Sequence, residues 1–375
     1  MSLLLERLHH LAALPPSDLP VISLYLNTQA NQHGRDEYER WLDKALTERA
    51  AELPERGPAR DSFDADVTKI RAWLSEELEP STNGVAIFAS SGAGLFEAIQ
   101  LQAPVDDHRL HIQDQPHLFH LARIHDAYPR FAIVQLDTNS AQIVVAALGR
   151  VELEHGIEGQ KTNRSEAGGW SQARFQRRAD NLYQQHAREV VDALDVIVRE
   201  EGIRHVVLIG DEVIIPRLRE ELPKHLEEKV IGVLRLDSSA TNDEIVAASL
   251  AAMRAADAAA DEAKVEAVLD GWRSGGLGVA GIEETLAALT RGQVAELVLT
   301  ARFEADHAEP EAVDGSVLPE VPSGRGRRTQ TVDLPAQAVL QALATGATVT
   351  FIENESALDE ACGVGAILRF SLQAA

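Results

Sequence analysis

Residues 161–178 read Lys-Thr-Asn-Arg-Ser-Glu-Ala-Gly-Gly-Trp-Ser-Gln-Ala-Arg-Phe-Gln-Arg-Arg. Lys161, Arg164, Arg174, Arg177 and Arg178 against Glu166 give this stretch a charge of +4, in a chain whose formal net charge is −24. The adjacent Gly168 and Gly169 lift the steric restriction on the backbone and predict a loop tip, with the large aromatic Trp170 set beside it. A long helix is predicted to follow, from about Arg174 to Glu201. Guanidinium groups pair with phosphate and an indole face stacks on an unpaired base, so arginines around an exposed tryptophan suit RNA. The plainer reading of the same letters is a solvated helix start with Trp170 folded back as a packing anchor.

The rest of the chain narrows the choice. With 375 residues, 45% of them hydrophobic and 25% charged, it has the composition of a globular protein of two or three domains. A single cysteine, Cys362, excludes an internal disulfide framework and a cysteine-cluster zinc site, and it suits a reducing, cytoplasmic setting. Glu6, Arg7, His9 and His10 interrupt the apolar N-terminal stretch, so no signal peptide is expected, and no run of about 18 apolar residues suggests a membrane span. So acidic a protein is not a general charge-driven coat for nucleic acid; any contact with RNA has to be local.

Hydrophobic spacing predicts the elements in order. Val21–Leu26 reads as a strand, Asp36–Leu53 as a helix, and Phe63, Val67, Ile70, Leu74 and Leu78 share one face of a second helix after Pro58. Asn83-Gly84 turns the chain into the strand Val85–Ala89. His108, His111, His117, His120 and His125 crowd together, but without a cysteine or paired carboxylate at recognisable ligand spacing. No metal site is assigned to them, and Pro116–His125 is read as an amphipathic helix with Leu118, Leu121 and Ile124 inward. Strands are expected at Phe131–Asp137, Gln142–Leu148, Val151–His155, Val206–Gly210 and Lys229–Leu236, with helices at Pro216–His225 and Asn242–Lys264. Val349–Ile352 closes the list of strands, while Glu304–Thr329 reads as a flexible loop ending in Arg325, Arg327 and Arg328, a candidate second contact with RNA.

Gly168-Gly169-Trp170-Ser171-Gln172-Ala173-Arg174-Phe175, followed by Gln176-Arg177-Arg178, resembles the Gly-Gly-Gln loop of archaeal and eukaryotic class I peptide release factors, which continues Ser-x-x-Arg-Phe-x-Arg. The family's glutamine, which promotes ester hydrolysis in the peptidyl-transferase centre, is Trp170 here. Val230-Ile231-Gly232-Val233 is similar to a strand before the family's terminal helix. Gly281–Leu289 and Gly363-Val364-Gly365-Ala366-Ile367-Leu368-Arg369-Phe370 are similar to its C-terminal domain. The family's stop-codon reader, Asn-Ile-Lys-Ser, should fall near Pro54–Phe63, where Glu55-Arg56-Gly57-Pro58 does not supply it. The resemblance is to the release factor and Pelota group, which also takes in ribosome-quality-control peptidyl-tRNA hydrolases and the hibernation factor Balon.

That resemblance implies an α/β protein of three consecutive domains: 1–127, 128–264 with an RNase-H-like layer carrying the loop, and 265–375, similar to kink-turn-RNA-binding proteins. It implies a translation factor that enters the ribosomal A site in rescue or hibernation without decoding. Gly168, Gly169 and Trp170 would form its tip, and Lys161, Arg164, Ser171, Arg174, Arg177 and Arg178 would meet rRNA and the tRNA acceptor end. A translational GTPase is a candidate partner, and neither a cofactor nor a membrane is expected. Two alternatives stay open: a peptidyl-tRNA ester hydrolase using the Trp170 backbone N–H as oxyanion donor, and a non-ribosomal interaction protein that kept the fold.

Overall fold

The computed structural model describes residues 3–30, 38–137, 140–147, 150–158, 170–211, 213–236, 240–300, 303, 333–354 and 356–371; the side chains of 150, 158, 170–179 and 259 lie outside that description. The chain opens with α1 (Leu3–Ala12) and reaches β1 (Val21–Asn27), followed by α2 (Tyr38–Glu52), α3 (Pro58–Glu76), β2 (Gly84–Ser90), β3 (Leu95–Leu101), β4 (Arg109–Gln113) and α4 (Phe119–Ala127). The first sheet is ordered β3-β2-β1-β4, each pair antiparallel, with Ile22 opposite both Ala89 and Ile112. Side chains alternate along a strand, so Ile22, Leu24 and Leu26 point to α2 and α3, where Leu42, Leu46, Phe63, Ile70 and Leu74 meet them. Tyr25 points the other way: its hydroxyl donates to the His117 carbonyl at 2.6 Å, and its ring meets Phe88 and His120 edge-on. With both faces covered, the six residues Val21–Leu26 are all buried.

The second sheet comprises β5 (Phe131–Leu136), β6 (Ser140–Ala147), β7 (Arg150–Glu158), β8 (His205–Gly210) and β9 (Val230–Leu234). Its order is β7-β6-β5-β8-β9, an antiparallel meander extended by two strands parallel to β5, which is the RNase-H-like arrangement. Ala132, Val134 and Leu136 face α5 (Trp170–Glu200) and α6 (Ile214–Glu221), and Leu226 of α7 (Lys224–Glu227) joins the same core. Phe131 and Ile133 face the first half of α8 (Asn242–Arg273), through Ile245, Val246 and Met253. The helix expected over Pro216–His225 is two helices instead. Pro223 has no N–H to continue the ladder and holds Leu222 extended, at φ −66° and ψ 121°.

The third sheet contains β10 (Gly278–Ala280), β11 (Val294–Thr300), β12 (Thr348–Ile352) and β13 (Val364–Leu368), ordered β10-β13-β11-β12. Between β10 and β11 runs α9 (Ile282–Thr290), and α10 (Leu334–Ala344) precedes β12, which lies parallel to β11. The expected helix ending at Lys264 continues to Arg273, because Val265, Val268 and Leu269 extend its apolar stripe onto the core of this sheet. Gly278 is required where β10 meets α8: a Cβ there would stand 2.5 Å from the Trp272 amide nitrogen and closer still to the Val268 carbonyl.

Contacts divide the chain into two compact units. One is formed within Tyr128–Asp257, and the other joins Leu4–Ala127 with Ala258–Ala375. In the second unit, the Phe351 N–H donates to Asp126 Oδ2 at 2.8 Å, Phe119 meets Phe351 edge-on at 5.2 Å, and His9 Nδ1 lies 2.9 Å from the Leu343 carbonyl. Among the described residues no helix is long and apolar enough to cross a membrane. The predicted loop at 304–329 lies outside the described residues.

Candidate functional site

Helix α5 has 31 residues, a length of about 46 Å at 1.5 Å per residue. Its second half is the anchor. Ala187, Val190, Val191, Leu194, Ile197 and Val198 recur at helical spacing and are buried against the second sheet. At its end Gly202 adopts φ 64°, and the Ile203 N–H donates back to the Val198 carbonyl, closing the helix with the left-handed turn that favours glycine. Arg130, at the head of the sheet, bonds Glu152 at 2.8 Å and Glu201 at 2.7 Å, tying the end of α5 to β7. Further forward, Asp180 accepts from Arg217 at 2.8 Å, and Arg188 and Gln184 both donate to Glu221 of α6 at 2.9 Å. The hydrogen bond from Arg188 holds the Glu221 carboxyl below the usual carboxylate range.

The first turns of α5 hold the sequence-predicted site. Trp170 is the first helical residue, and Ser171, Arg174, Arg177 and Arg178 are helical positions after it. Lys161, Arg164, Gly168 and Gly169 lie outside the described residues. At about 100° per residue, positions 170, 174, 177 and 178 cluster on one side of the helix, about 140° from the stripe formed by 187, 190, 191, 194, 197 and 198. The fold thus buries one face of α5 and sets the basic positions on the opposite one. The first N–H groups of a helix have no intrahelical partner and carry the positive end of its dipole, so this end of α5 favours anions even before the arginines add charge.

A second cluster, which spacing alone assigned to packing, is assembled in the other unit. His111 on β4, His117 just before α4 and His120 in its first turn each place a ring nitrogen within 4.8 Å of the others. His111 Nε2 and His120 Nε2 are 3.3 Å apart, and the rings of His111 and His117 stack at 3.6 Å with planes 15° apart. His117 Nε2 lies 2.9 Å from Asp333 Oδ2, while Asp333 Oδ1 accepts from the Ala336 N–H at 3.0 Å and so caps α10. Burial works to raise the Asp333 carboxyl, but the bond and charge of His117 outweigh it and hold that carboxyl below the usual range. Burial, then the neighbouring His117, pushes His111 down to about 3 and His120 lower still. The three rings and Asp333 line a cavity of about 560 Å³, with Trp41, Glu48 and Arg109 on its walls. Of the other two histidines in the run, His108 accepts from the Asn27 N–H at 3.1 Å and does not join the cluster. The inward set Leu118, Leu121 and Ile124 is buried as expected.

Residues 116–255 match the family model described as bacterial archaeo-eukaryotic release factor family 10. Among solved structures, the archaeal translation termination factor aRF1 is 16% identical, with 98% of this chain and 96% of that one aligned and a TM-score of 0.26. Pelota from Archaeoglobus fulgidus is 14% identical over 77% of this chain and 80% of that one, with a TM-score of 0.36. Dom34 of S. cerevisiae, a translation termination-like factor interacting with Hbs1, is 13% identical over 78% and 80%, with a TM-score of 0.41. No curated protein matches the chain. The segment that matches the bacterial archaeo-eukaryotic release-factor family, a little over a third of the chain, contains both the basic glycine stretch and the sheet that anchors the helix after it.

Proposed function

We propose that this chain is a ribosome-associated, cytoplasmic translation factor that acts in the A site without reading stop codons, in rescue of stalled ribosomes or hibernation of idle ones. The observation that carries the reading is the division of α5: a buried stripe anchors the helix, and Trp170, Arg174, Arg177 and Arg178 occupy the opposite side at its N-terminal end. In this reading Gly168 and Gly169 shape the tip, Trp170 and Ser171 approach the tRNA end or rRNA, and Lys161, Arg164 and the three helical arginines neutralise phosphate. The family match supports it, since the matched residues include the whole stretch. A translational GTPase is the candidate delivery partner. Decoding is left out because Glu55-Arg56-Gly57-Pro58 supplies no tetrapeptide reader.

A second reading has its own support. Trp170 opens the helix, so its backbone N–H has no intrahelical partner and is available to an oxyanion. A peptidyl-tRNA ester hydrolase would use that N–H, although an indole, with one donor and no acceptor, cannot position water as a carboxamide does. Release of labelled peptide from ribosomal complexes under single-turnover conditions separates the two. Without hydrolysis, wild-type release equals the spontaneous rate, and Trp170→Gln introduces release. Wild-type release clearly above the spontaneous rate would establish the hydrolase instead. Co-sedimentation tests the shared premise: about four phosphate contacts give a log-affinity slope against log salt of roughly −3 to −4. Replacing Arg174, Arg177 and Arg178 by Ala should flatten it.

A further inference from the structure

We propose that His111, His117 and His120 form a binding site for a zinc-class divalent cation, with Asp333 orienting His117 and the remaining coordination position open to the adjoining cavity. The chemistry begins at Asp333. An ionised carboxylate only accepts hydrogen bonds, so the 2.9 Å contact between Asp333 Oδ2 and His117 Nε2 places the proton on Nε2. In the neutral ring this leaves a bare lone pair on Nδ1. That atom is buried, in a side chain 3% exposed, and among the described residues it has no hydrogen-bond partner. An unanswered buried nitrogen costs about 1–3 kcal/mol, whereas a ligating histidine whose other N–H is held by a carboxylate is the usual arrangement around a metal.

The other two rings supply the spacing. Two nitrogens at about 2.0–2.1 Å from a tetrahedral zinc stand about 3.3–3.4 Å apart, and His111 Nε2 and His120 Nε2 are separated by 3.3 Å. That separation suits a shared proton as well as a shared ion, but a proton between those two leaves His117 Nδ1 unanswered, whereas an ion answers all three rings. Stacked, nearly parallel rings aim their lone pairs side by side. Loading therefore turns one ring about its side-chain bonds, and His111, half-buried on the cavity wall, is the ring assigned to turn. Three imidazoles favour zinc and its neighbours in the first transition row over magnesium or calcium, which take oxygen ligands. A three-histidine set also leaves one position on the ion for water or an anionic ligand entering from the cavity.

The full chain, stripped with a chelator and dialysed, is titrated with Co2+ and then Zn2+, reading the visible ligand-field bands of four-coordinate Co2+ and their loss as Zn2+ replaces it. One equivalent is expected to bind, with His111→Gln and His120→Gln each weakening affinity at least tenfold and Asp333→Asn weakening it about 10–100-fold without abolishing it. Circular dichroism confirms that the variants are folded. A readout on the wild type does not depend on them: Zn2+ should move the imidazole 15N resonances of three histidines into the range of metal-bound nitrogen. Absence of uptake by the stripped wild type, uptake that leaves those resonances unmoved, or unchanged affinity in folded variants each overturns the site.

Discussion

Residues 161–178 carry their chemistry on eighteen consecutive positions, whereas the histidine cavity draws on β4, the approach to α4 and the start of α10, with His117 and Asp333 separated by 216 residues. The first cluster needs the fold only to hold a helix in place; the second does not exist until the fold has formed. Chemistry of the first kind is nearly independent of stability. In the second kind the functional contacts are also structural ones, since a single carboxylate caps α10 with one oxygen and holds His117 with the other.

The largest effect should come from the anchored half of α5. Leu194→Ala opens a cavity in the core beneath the second sheet and should cost about 3–4 kcal/mol by denaturant unfolding. A cost below about 1 kcal/mol would mean that the stripe does not anchor the helix. Next, Asp333→Ala removes a helix cap, worth about 1 kcal/mol, and leaves a buried histidine without its partner, worth about 1–3 kcal/mol. A total of about 2–4 kcal/mol in chelator-treated protein is expected. A near-zero value would break the claim that the assembled cluster is part of the structure.

A smaller, pH-dependent effect belongs to Asp66, fully buried on α3, whose carboxylate accepts from the Ser91 N–H at 2.7 Å. Burial raises this carboxyl, only partly offset by its bonds to Ser91 and Ser62. The folded state therefore takes up the proton before the unfolded state does, and the penalty for burying the charge grows as pH rises from the unfolded value of 3.8 through the folded one. Asp66→Asn should gain on the wild type over that window, by at most about 1.4 kcal/mol per pH unit, and run parallel above it. Denaturation series from pH 4 to pH 8 check the sign. Arg174→Ala, Arg177→Ala and Arg178→Ala should have the least effect on stability, each within about 0.5 kcal/mol. If they destabilise as Leu194→Ala does, the two faces of α5 are not the separate surfaces described.

What could be read in advance follows the same division. The strands Val21–Leu26, Phe131–Asp137 and Val206–Gly210 announce themselves because both faces are buried, so each is a continuous apolar run with little to confuse it. By contrast β4, Arg-Leu-His-Ile-Gln, is an edge strand whose polar letters merge into the histidine run, and β3 is only partly buried. Helix α10 was hidden by its position after the acidic, Pro- and Gly-containing stretch and by Pro335 in its first turn, where proline is a start signal. The glycine stretch could be singled out because its letters are adjacent, although residues 161–169 lie outside the described residues. The histidine cluster was not, since nothing in the spacing of 111, 117 and 120 reports that a strand and a helix fold toward each other, or that a carboxylate far along the chain meets them.

The pairing of His117 with Asp333 also sets a timetable for synthesis. A chain made at about 5–20 residues per second has to wait about 10–40 s after His117 for the aspartate 216 positions later. All of Tyr128–Asp257 is made during that wait, so the central unit can be complete while the unit that holds the first sheet, Tyr25 and the three imidazoles still lacks its Ala258–Ala375 half. A slow step in refolding of the purified chain should be sought in the joining of Leu4–Ala127 to Ala258–Ala375 rather than in the central sheet.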